Sequence, residues 1–335
     1  MNNRAGAVSI GACIVTLLAV YASFFGTTVA SQSALARSGA GPQAVPPGSI
    51  RVVLLGTGMG PVVNLQQFGA STLVEAGGKR LLFDCGRGTT IRLTQAGVPI
   101  GSVSRLFLTH LHSDHVIQIP DLLLAGWLGM AGRKVPLDVW GPAGTRDMMS
   151  GLERAFAFDI RIRSDLDERL PAEGITVRSH DIGEGVIFDE DGVKVTAFFV
   201  DHKPITPAFG YRVDYRGRSV ALSGDTRMSE NLVEFATGVD VLIHEAIDPV
   251  AVRARAKDLA LAERVIALHT TAEQAGEVFA RVKPRLAVYS HAPNSEAVIA
   301  QTRKKYAGPL QGAEDLLTID VGEQVSVRRF EEGFQ

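Results

Sequence analysis

From Ile50 onward the sequence alternates short apolar runs with longer amphipathic patterns, and this alternation limits the possible folds more than any other feature. Brief runs rich in Val, Leu and Phe, bounded by Gly, Pro or Asp, are typical of strands. They predict strands at 51–55, 71–75, 80–83, 105–108, 137–140, 193–200, 210–215, 219–222, 241–243 and 286–289. Helical periodicity predicts helices at 86–96, 117–128, 144–156, 229–236, 271–282 and 295–306. Such mixing predicts an α/β protein in which helices cover sheets.

The amino-terminal residues differ from the rest of the chain. Arg4 is followed by residues 5–30, which contain no charged side chain. We expect residues 1–36 to be a signal peptide, with small-residue cleavage sites after Ala30 and Ala36, or an uncleaved membrane anchor. Residues 37–49 resemble a flexible linker, and 50–335 form the folded domain. The expected location is periplasmic or secreted, or, with an uncleaved helix, anchored with the domain outside the cytoplasm.

The charge balance is nearly neutral and evenly distributed. The chain has 34 Lys and Arg against 36 Asp and Glu, a formal net charge of -2. No block of basic residues predicts a dedicated nucleic-acid surface, so nucleic acid is not the expected partner. We expect membrane contact only through the amino-terminal segment. Cys85 is the one cysteine in the predicted domain, which excludes a disulfide within it.

Residues 110–115, His-Leu-His-Ser-Asp-His, carry three imidazoles and one carboxylate directly after a predicted strand. Imidazole nitrogen and carboxylate oxygen are the usual ligands of catalytic zinc, and such density has no simple structural explanation. Four groups alone would leave a metal site incomplete, so further ligands must come from elsewhere. Asp225, His244 and His291 each follow a predicted strand, where rigid scaffolds present functional groups. The motif therefore predicts a metal centre at strand ends.

Several ordered segments resemble one known family. They are 55–58 (Leu-Gly-Thr-Gly), 83–86 (Phe-Asp-Cys-Gly), 109–115, His202 with 209–212, 223–226 (Ser-Gly-Asp-Thr), 241–245 (Val-Leu-Ile-His-Glu) and 290–291. Together they resemble the metallo-β-lactamase superfamily, in the branch of ribonuclease Z, arylsulfatases and cyclic-nucleotide phosphodiesterases. The resemblance implies a four-layer αββα metallo-β-lactamase sandwich with its site along one edge of the two sheets.

The resemblance also implies roles for individual residues. One ion is expected on His110, His112 and His202, the other on Asp114, His115 and His291, with Asp225 between them. Two Zn²⁺ are expected, with Mn²⁺ or Fe as alternatives, and hydrolysis is expected to proceed through metal-bound hydroxide. Asp114 is expected to act in catalysis as well as in binding, and His244 to help the leaving oxygen depart. His269 and Glu245 are expected to contact substrate or support the ligands, and Asp84 to hydrogen-bond the ligand segment.

The leading functional hypothesis is an exported dinuclear-zinc hydrolase of small anionic esters, either aryl sulfates or phosphodiesters. Arylsulfatases of this branch share the leader, Trp140-Gly141-Pro142 and the stretch 159–163. The alternative is a ribonuclease Z-like endonuclease that processes the 3′ ends of transfer RNA. Hydrolysis of a β-lactam or lactone is a third hypothesis, because one fold hosts many chemistries. A homodimer is a further expectation from the resemblance.

Overall fold

The computed structural model describes residues 44–129 and 132–330. Its strands are β1 (Ile50–Gly56), β2 (Ser71–Ala76), β3 (Lys79–Phe83), β4 (Arg105–Phe107), β5 (Leu137–Gly141), β6 (Val177–Asp181), β7 (Gly185–Glu190), β8 (Val193–Phe199), β9 (Phe209–Tyr215), β10 (Arg218–Leu222), β11 (Val241–His244), β12 (Leu286–Tyr289), β13 (Leu310–Gln311), β14 (Leu317–Val321) and β15 (Val325–Arg328). Its α-helices are α1 (Thr89–Gln95), α2 (Ser113–Val116), α3 (Ile119–Trp127), α4 (Thr145–Ala155), α5 (Ala157–Arg161), α6 (Glu230–Ala236), α7 (Pro249–Arg255), α8 (Leu259–Ile266), α9 (Ala272–Val282) and α10 (Glu296–Arg303).

The strands form two mixed sheets, each with an antiparallel part and a parallel part. The first has the order β15-β14-β1-β2-β3-β4-β5-β6 and the second β13-β12-β11-β10-β9-β8-β7. In the first, pairing is antiparallel up to β3 and parallel from β3 to β6. In the second, it is antiparallel from β7 to β10 and parallel from β10 to β13. Parallel strands end at a common edge, so the segments after β3, β4, β10, β11 and β12 are brought together.

Three apolar cores lie between four layers. The inner core joins the facing sides of both sheets and includes the ring of Phe107, whose centroid lies 5.0 Å from that of Phe83 and 6.0 Å from that of Tyr211. A second core joins the outer face of the first sheet to α1, α3 and α4. A third joins the outer face of the second sheet to α6, α9 and α10. This order of layers confirms the αββα sandwich expected from the sequence.

The predicted strands and helices are all present, with small shifts at their ends, and several elements were not predicted. These are β6, β7, β13, β14 and β15 together with α2, α5, α7 and α8. The predicted signal peptide or anchor, residues 1–36, and the linker up to residue 43 lie outside the described residues. Among the helices within residues 44–129 and 132–330, none is both long enough and apolar enough to cross a bilayer.

Candidate metal centre and active site

The His110–His115 segment leaves the first sheet at the end of β4 and turns into the site. The second half of the segment is helical, because α2 begins at Ser113 and supplies one turn. His112 has extended backbone and precedes this turn, while Asp114 and His115 lie on the turn and are buried. The change from strand to turn sends the side chains in different directions within six residues. This allows one segment to serve two neighbouring donor groups.

Asp84 holds this segment against the end of β3. Its Oδ1 accepts a hydrogen bond from the Thr109 backbone N–H at 2.8 Å, and its Oδ2 accepts from Thr109 Oγ1 at 2.8 Å. Oδ2 also lies 2.8 Å from His115 Nδ1, which must donate because a carboxylate only accepts. In the neutral ring of His115, the hydrogen is thereby held on Nδ1, and Nε2 is directed into the site as the atom that can bind a metal. Carboxylates that orient ligand histidines in this way are typical of metal sites.

His110 and His202 are likewise each oriented by a hydrogen bond from Nδ1 to an oxygen atom. His110 Nδ1 lies 3.1 Å from Thr109 Oγ1, whose hydrogen is already given to Asp84, so the ring nitrogen donates. His202 Nδ1 lies 3.0 Å from the carbonyl oxygen of Leu268 and donates to it. In both rings Nε2 is left as a lone-pair donor to a metal. Burial lowers the pKa of both histidines, which favours the neutral form that binds metal ions.

Asp225 is placed by a glycine turn at the end of β10. Gly224 has φ +60, and a Cβ there would lie 2.6 Å from the carbonyl oxygen of Phe209. Only glycine fits this close approach without strain. Asp225 Oδ2 lies 3.4 Å from His115 Nε2 and 3.9 Å from His110 Nε2, and Oδ1 lies 3.3 Å from His291 Nδ1. One buried carboxylate therefore reaches histidines from both sheets.

His291 completes the cluster from the end of β12. Its φ of +51 is an uncommon backbone conformation for a residue with a side chain. Its Nε2 lies 3.3 Å from Asp114 Oδ2 and accepts a 3.3 Å hydrogen bond from the Gly60 backbone N–H. Strained conformations of this kind are concentrated at functional sites.

The donor atoms form overlapping groups that fit two divalent ions. Within each group all donor atoms lie within 4.8 Å of one another, and the groups are His110/His112/His202, His110/His115/Asp225, Asp114/His115/His291 and Asp225/His269/His291. Five buried atoms on residues of these groups lack a hydrogen-bond partner: His110 Nε2, His115 Nε2, His202 Nε2, Asp225 Oδ1 and His291 Nδ1. A buried polar atom without a partner is costly, and a bound cation would satisfy all of these. The chemistry and spacing of the donors therefore fit metal ions.

The electrostatics of the cluster couple the two sheets. Burial disfavours the charged form of Asp225, but His291 and His115 outweigh it and hold the pKa of Asp225 well below its ordinary value. Burial likewise lowers the pKa of His115, yet Asp225 and Asp84 raise it well above the ordinary value. The carboxylates are thus ionised and available to cations.

Glu245 and His269 form a pair at the edge of this cluster. Glu245 is buried, and its Oε1 lies 3.0 Å from His269 Nδ1 while accepting the Thr226 backbone N–H at 2.9 Å. His269 Nδ1 also lies 4.0 Å from Asp225 Oδ2. Burial lowers the pKa of His269, but the Glu245 carboxylate outweighs burial and raises the pKa to about 9. The Glu245 carboxylate therefore favours the protonated form of His269, beside the metal donors.

His244 does not join the cluster. Its Nδ1 lies 2.6 Å from the carbonyl oxygen of Glu245, and its ring centroid lies 5.8 Å from that of Phe279 in α9. Ile243 faces the core between the sheets, so alternation along β11 turns His244 toward the helices. His244 was expected to contact the leaving group, but its ring lies on the helix side of β11, away from the metal donors. Sequence alternation could show that His244 and Glu245 point apart, but not which of them faces the site.

Comparisons with known proteins agree on the family. The sequence profile described as "Beta-lactamase superfamily domain" matches residues 79–292. A protein named Ribonuclease Z from Mycobacterium sp. (strain KMS) is 37% identical over 290 residues, which are 83% of this chain and 99% of the relative. Another, from Mycobacterium avium (strain 104), is 37% identical over 81% of this chain and 98% of the relative.

Solved structures support the fold. The metallo-beta-lactamase fold protein YhfI from Bacillus subtilis superposes with a TM-score of 0.63 at 16% identity, covering 81% of this chain and 99% of that one. The short form of human tRNase Z superposes with a TM-score of 0.58 at 24% identity, again covering 81% and 99%.

These relatives overturn the leading hypothesis from the sequence. The relatives that are matched over nearly their whole length are named Ribonuclease Z, not arylsulfatase, so the arylsulfatase interpretation is wrong. The alternative stated beside it agrees with them. The expectation that nucleic acid is not the partner rested on the charge balance and on the absence of a basic block. The names of these relatives do not support that expectation.

Proposed function

Because the chain belongs to the ribonuclease Z branch of the metallo-β-lactamase superfamily and is a metal-dependent hydrolase of ester bonds, we propose that it is a phosphodiesterase acting on RNA. Precursor transfer RNA is the first substrate to test, by analogy with the named relatives. The observation that carries the proposal is the set of overlapping donor groups, which share His110, His115, Asp225 and His291. Two neighbouring sites of this kind suit the attacking water and the negative charge that develops on a phosphodiester during hydrolysis.

We assign one ion to His110, His112 and His202 and the other to Asp114, His115 and His291, with Asp225 between them. Zinc is the proposed metal, because imidazole-rich sites with carboxylates suit it. When bound, two such ions lower the pKa of water and neutralise charge that develops on the phosphate.

The protein's own groups then orient water and move protons. Asp114 Oδ2 lies 3.6 Å from His115 Nε2 and 3.3 Å from His291 Nε2, a position from which it can accept a hydrogen bond from the attacking water. His269, held at Nδ1 by Glu245, presents its other ring nitrogen as the donor of a proton to the leaving oxygen. We therefore assign the role first expected for His244 to His269, with Glu245 as its positioning partner.

The proposal is tested with zinc-loaded protein and a panel of chromogenic esters. We expect turnover of bis-p-nitrophenyl phosphate and none of p-nitrophenyl sulfate. Asp225→Asn should abolish diester turnover, because an NH₂ group, which cannot bind a metal ion, replaces the carboxylate oxygen that faces either His291 or His115. His180→Ala is the control outside the site and should keep diester turnover, since the ring of His180 stacks on that of Trp140, with centroids 5.2 Å apart, and belongs to none of the donor groups. Sulfate turnover without diester turnover would contradict the proposal.

Location and assembly remain separate proposals. We propose that residues 1–36 direct the domain out of the cytoplasm and that the protein is a homodimer. Fractionation of cells carrying a C-terminally tagged full chain tests the first, and sedimentation of the purified protein tests the second. A purely cytosolic, full-length protein would overturn the export proposal while leaving the phosphodiesterase proposal intact.

A further inference from the structure

An apolar cavity adjoins the metal centre and has no role in the chemistry described above. It has a volume of about 220 Å³ and lies between the 58–69 loop and the start of α1. Its apolar lining includes Val62, Val63, Leu65 and Ile91. Asp114, a proposed metal donor, forms part of the same wall, so a group held in the cavity is contiguous with the reacting centre.

The loop exposes apolar side chains to an unusual degree. Val62 is 79% exposed, Val63 61% and Leu65 85%, and all three lie within four residues of one another. Isolated exposed apolar residues are ordinary, but a group of them on the wall of a cavity marks a binding surface. The ligand of this surface must therefore be partly apolar.

The loop is held in place at both ends. The buried carboxylate of Asp315 accepts hydrogen bonds from the backbone N–H groups of Thr57 at 2.9 Å and of Phe68 at 2.8 Å. Arg92 pairs with Asp315 at 2.9 Å and places its guanidinium 4.2 Å from the Phe68 ring centroid. Gly60, inside the loop, donates its N–H to His291 at 3.3 Å. A loop anchored in this way gives a preformed cavity, so little ordering is needed when a ligand binds.

The charges of the lining limit the ligand further. Among the described residues that line the cavity, Arg87 is the one cation and Asp114 the one anion. A run of phosphates would find no concentrated positive field here. The side-chain amides of Gln67 and Gln118 also lie in the wall, but their N–H groups are already donated within the protein. Each amide oxygen accepts one hydrogen bond from the backbone and keeps a second lone pair, which can accept from an N–H on the edge of a flat, uncharged ring. A nucleobase has this combination of apolar faces and polar edges.

We infer that this cavity is a subsite for the nucleobase of the nucleotide whose phosphodiester is cleaved. The inference rests on the proposed phosphodiesterase function and adds its specificity. The base packs against Val63 and Ile91 while its phosphate extends past Asp114 to the metal centre. Asp315 is a positioning residue for the subsite, because it touches the loop stems and not the ligand.

The test compares two diesters with the same leaving group, p-nitrophenyl thymidine 5′-phosphate and methyl p-nitrophenyl phosphate. For the zinc-loaded wild type, we expect kcat/KM to be about tenfold higher for the nucleotide ester, the gain typical of burying one apolar group. Val63→Asp should bring the ratio of the two kcat/KM values close to about one. Val186→Asp is the matched control, since Val186 is 57% exposed on β7, outside the cavity lining, and should leave the ratio unchanged.

A binding measurement makes the test independent of turnover. Calorimetry should show that thymidine 5′-phosphate binds the wild type and Val186→Asp alike, and binds Val63→Asp about tenfold more weakly. Equal kcat/KM values for the two esters in the wild type, or equal affinity of the nucleotide for Val63→Asp, would overturn the inference. A loss of both activities in Val63→Asp together with a change in sedimentation would also overturn it, because the loop would then be a contact between copies. A wild type that binds the nucleotide but cleaves neither ester contradicts the proposed function and not the subsite.

Discussion

Replacing Asp84 with Asn should weaken metal binding without changing any proposed ligand. Asp84 has φ +58, a conformation that Asn also adopts readily, so the backbone should tolerate the change. The amide oxygen can keep the 2.8 Å bond from the Thr109 N–H. The amide NH₂, however, replaces the oxygen that lies 2.8 Å from His115 Nδ1. His115 must then accept at Nδ1 and carry its hydrogen on Nε2, the atom assigned to the metal.

The size of the effect follows from these contacts. Changes to groups that orient metal ligands typically cost about 10- to 100-fold in metal affinity. Loss of one charge-assisted hydrogen bond at a buried carboxylate should also lower the free energy of unfolding by about 1–3 kcal/mol. Competition with a chromophoric zinc chelator measures the affinity, and urea unfolding of metal-free protein measures the stability.

A matched variant separates this mechanism from a general effect of Asp→Asn beside a histidine. Asp138 lies 3.7 Å from His180 Nε2 on the first sheet, outside the donor groups. Asp138→Asn should leave zinc affinity unchanged. If Asp84→Asn binds zinc as tightly as the wild type, the orientation of His115 through Asp84 is refuted.

Three further predictions follow from the site. Glu245→Gln should lower kcat for diester cleavage about 10²- to 10⁴-fold while bound zinc, measured by mass spectrometry, stays the same, because it weakens the hold on His269; loss of zinc instead would make Glu245 a ligand. Gly224→Ala should lower the free energy of unfolding, measured by urea titration, by at least about 3 kcal/mol, because the strain at φ +60 is added to the clash of the new Cβ with the Phe209 carbonyl oxygen. Gly238→Ala, at φ +75 with no atom within 4 Å of the new Cβ, should lower the free energy of unfolding by less. Removing metal with a chelator should lower the melting temperature, and added zinc should restore it in a concentration-dependent way, because an ion that binds the folded state stabilises it; an unchanged melting temperature would count against a resident metal.

The layer order was predictable because it depends on strongly patterned segments. Strands β1 and β12 are buried along their whole length and appear in the sequence as apolar runs, interrupted in β1 by Arg51. β6 and β7 lie near the edges of their sheets and are half exposed, so they lack such a run and were missed. β14 alternates buried and less buried residues from Leu317 to Val321, a signal that the sequence does contain.

The site was predictable in part for a similar reason. The motif from His110 to His115 concentrates ligands in a short segment, and the structure brings His202, Asp225 and His291 to it from the second sheet. The direction of Glu245 was not predictable, because residues 241–243 are all apolar and do not show which face of β11 meets the core. The apolar wall at Val62 and Val63 could not be assigned either, since its meaning depends on its contact with the metal centre.

Cleavage of a precursor transfer RNA with a 3′ extension tests the central proposal most directly. The zinc-loaded full-length protein should release the extension by a single cut, and both chelation and Asp225→Asn should abolish that cut. His180→Ala should cleave like the wild type. Protein that binds two zinc ions and hydrolyses p-nitrophenyl diesters, yet leaves the precursor intact, would contradict the assignment of precursor transfer RNA as its substrate.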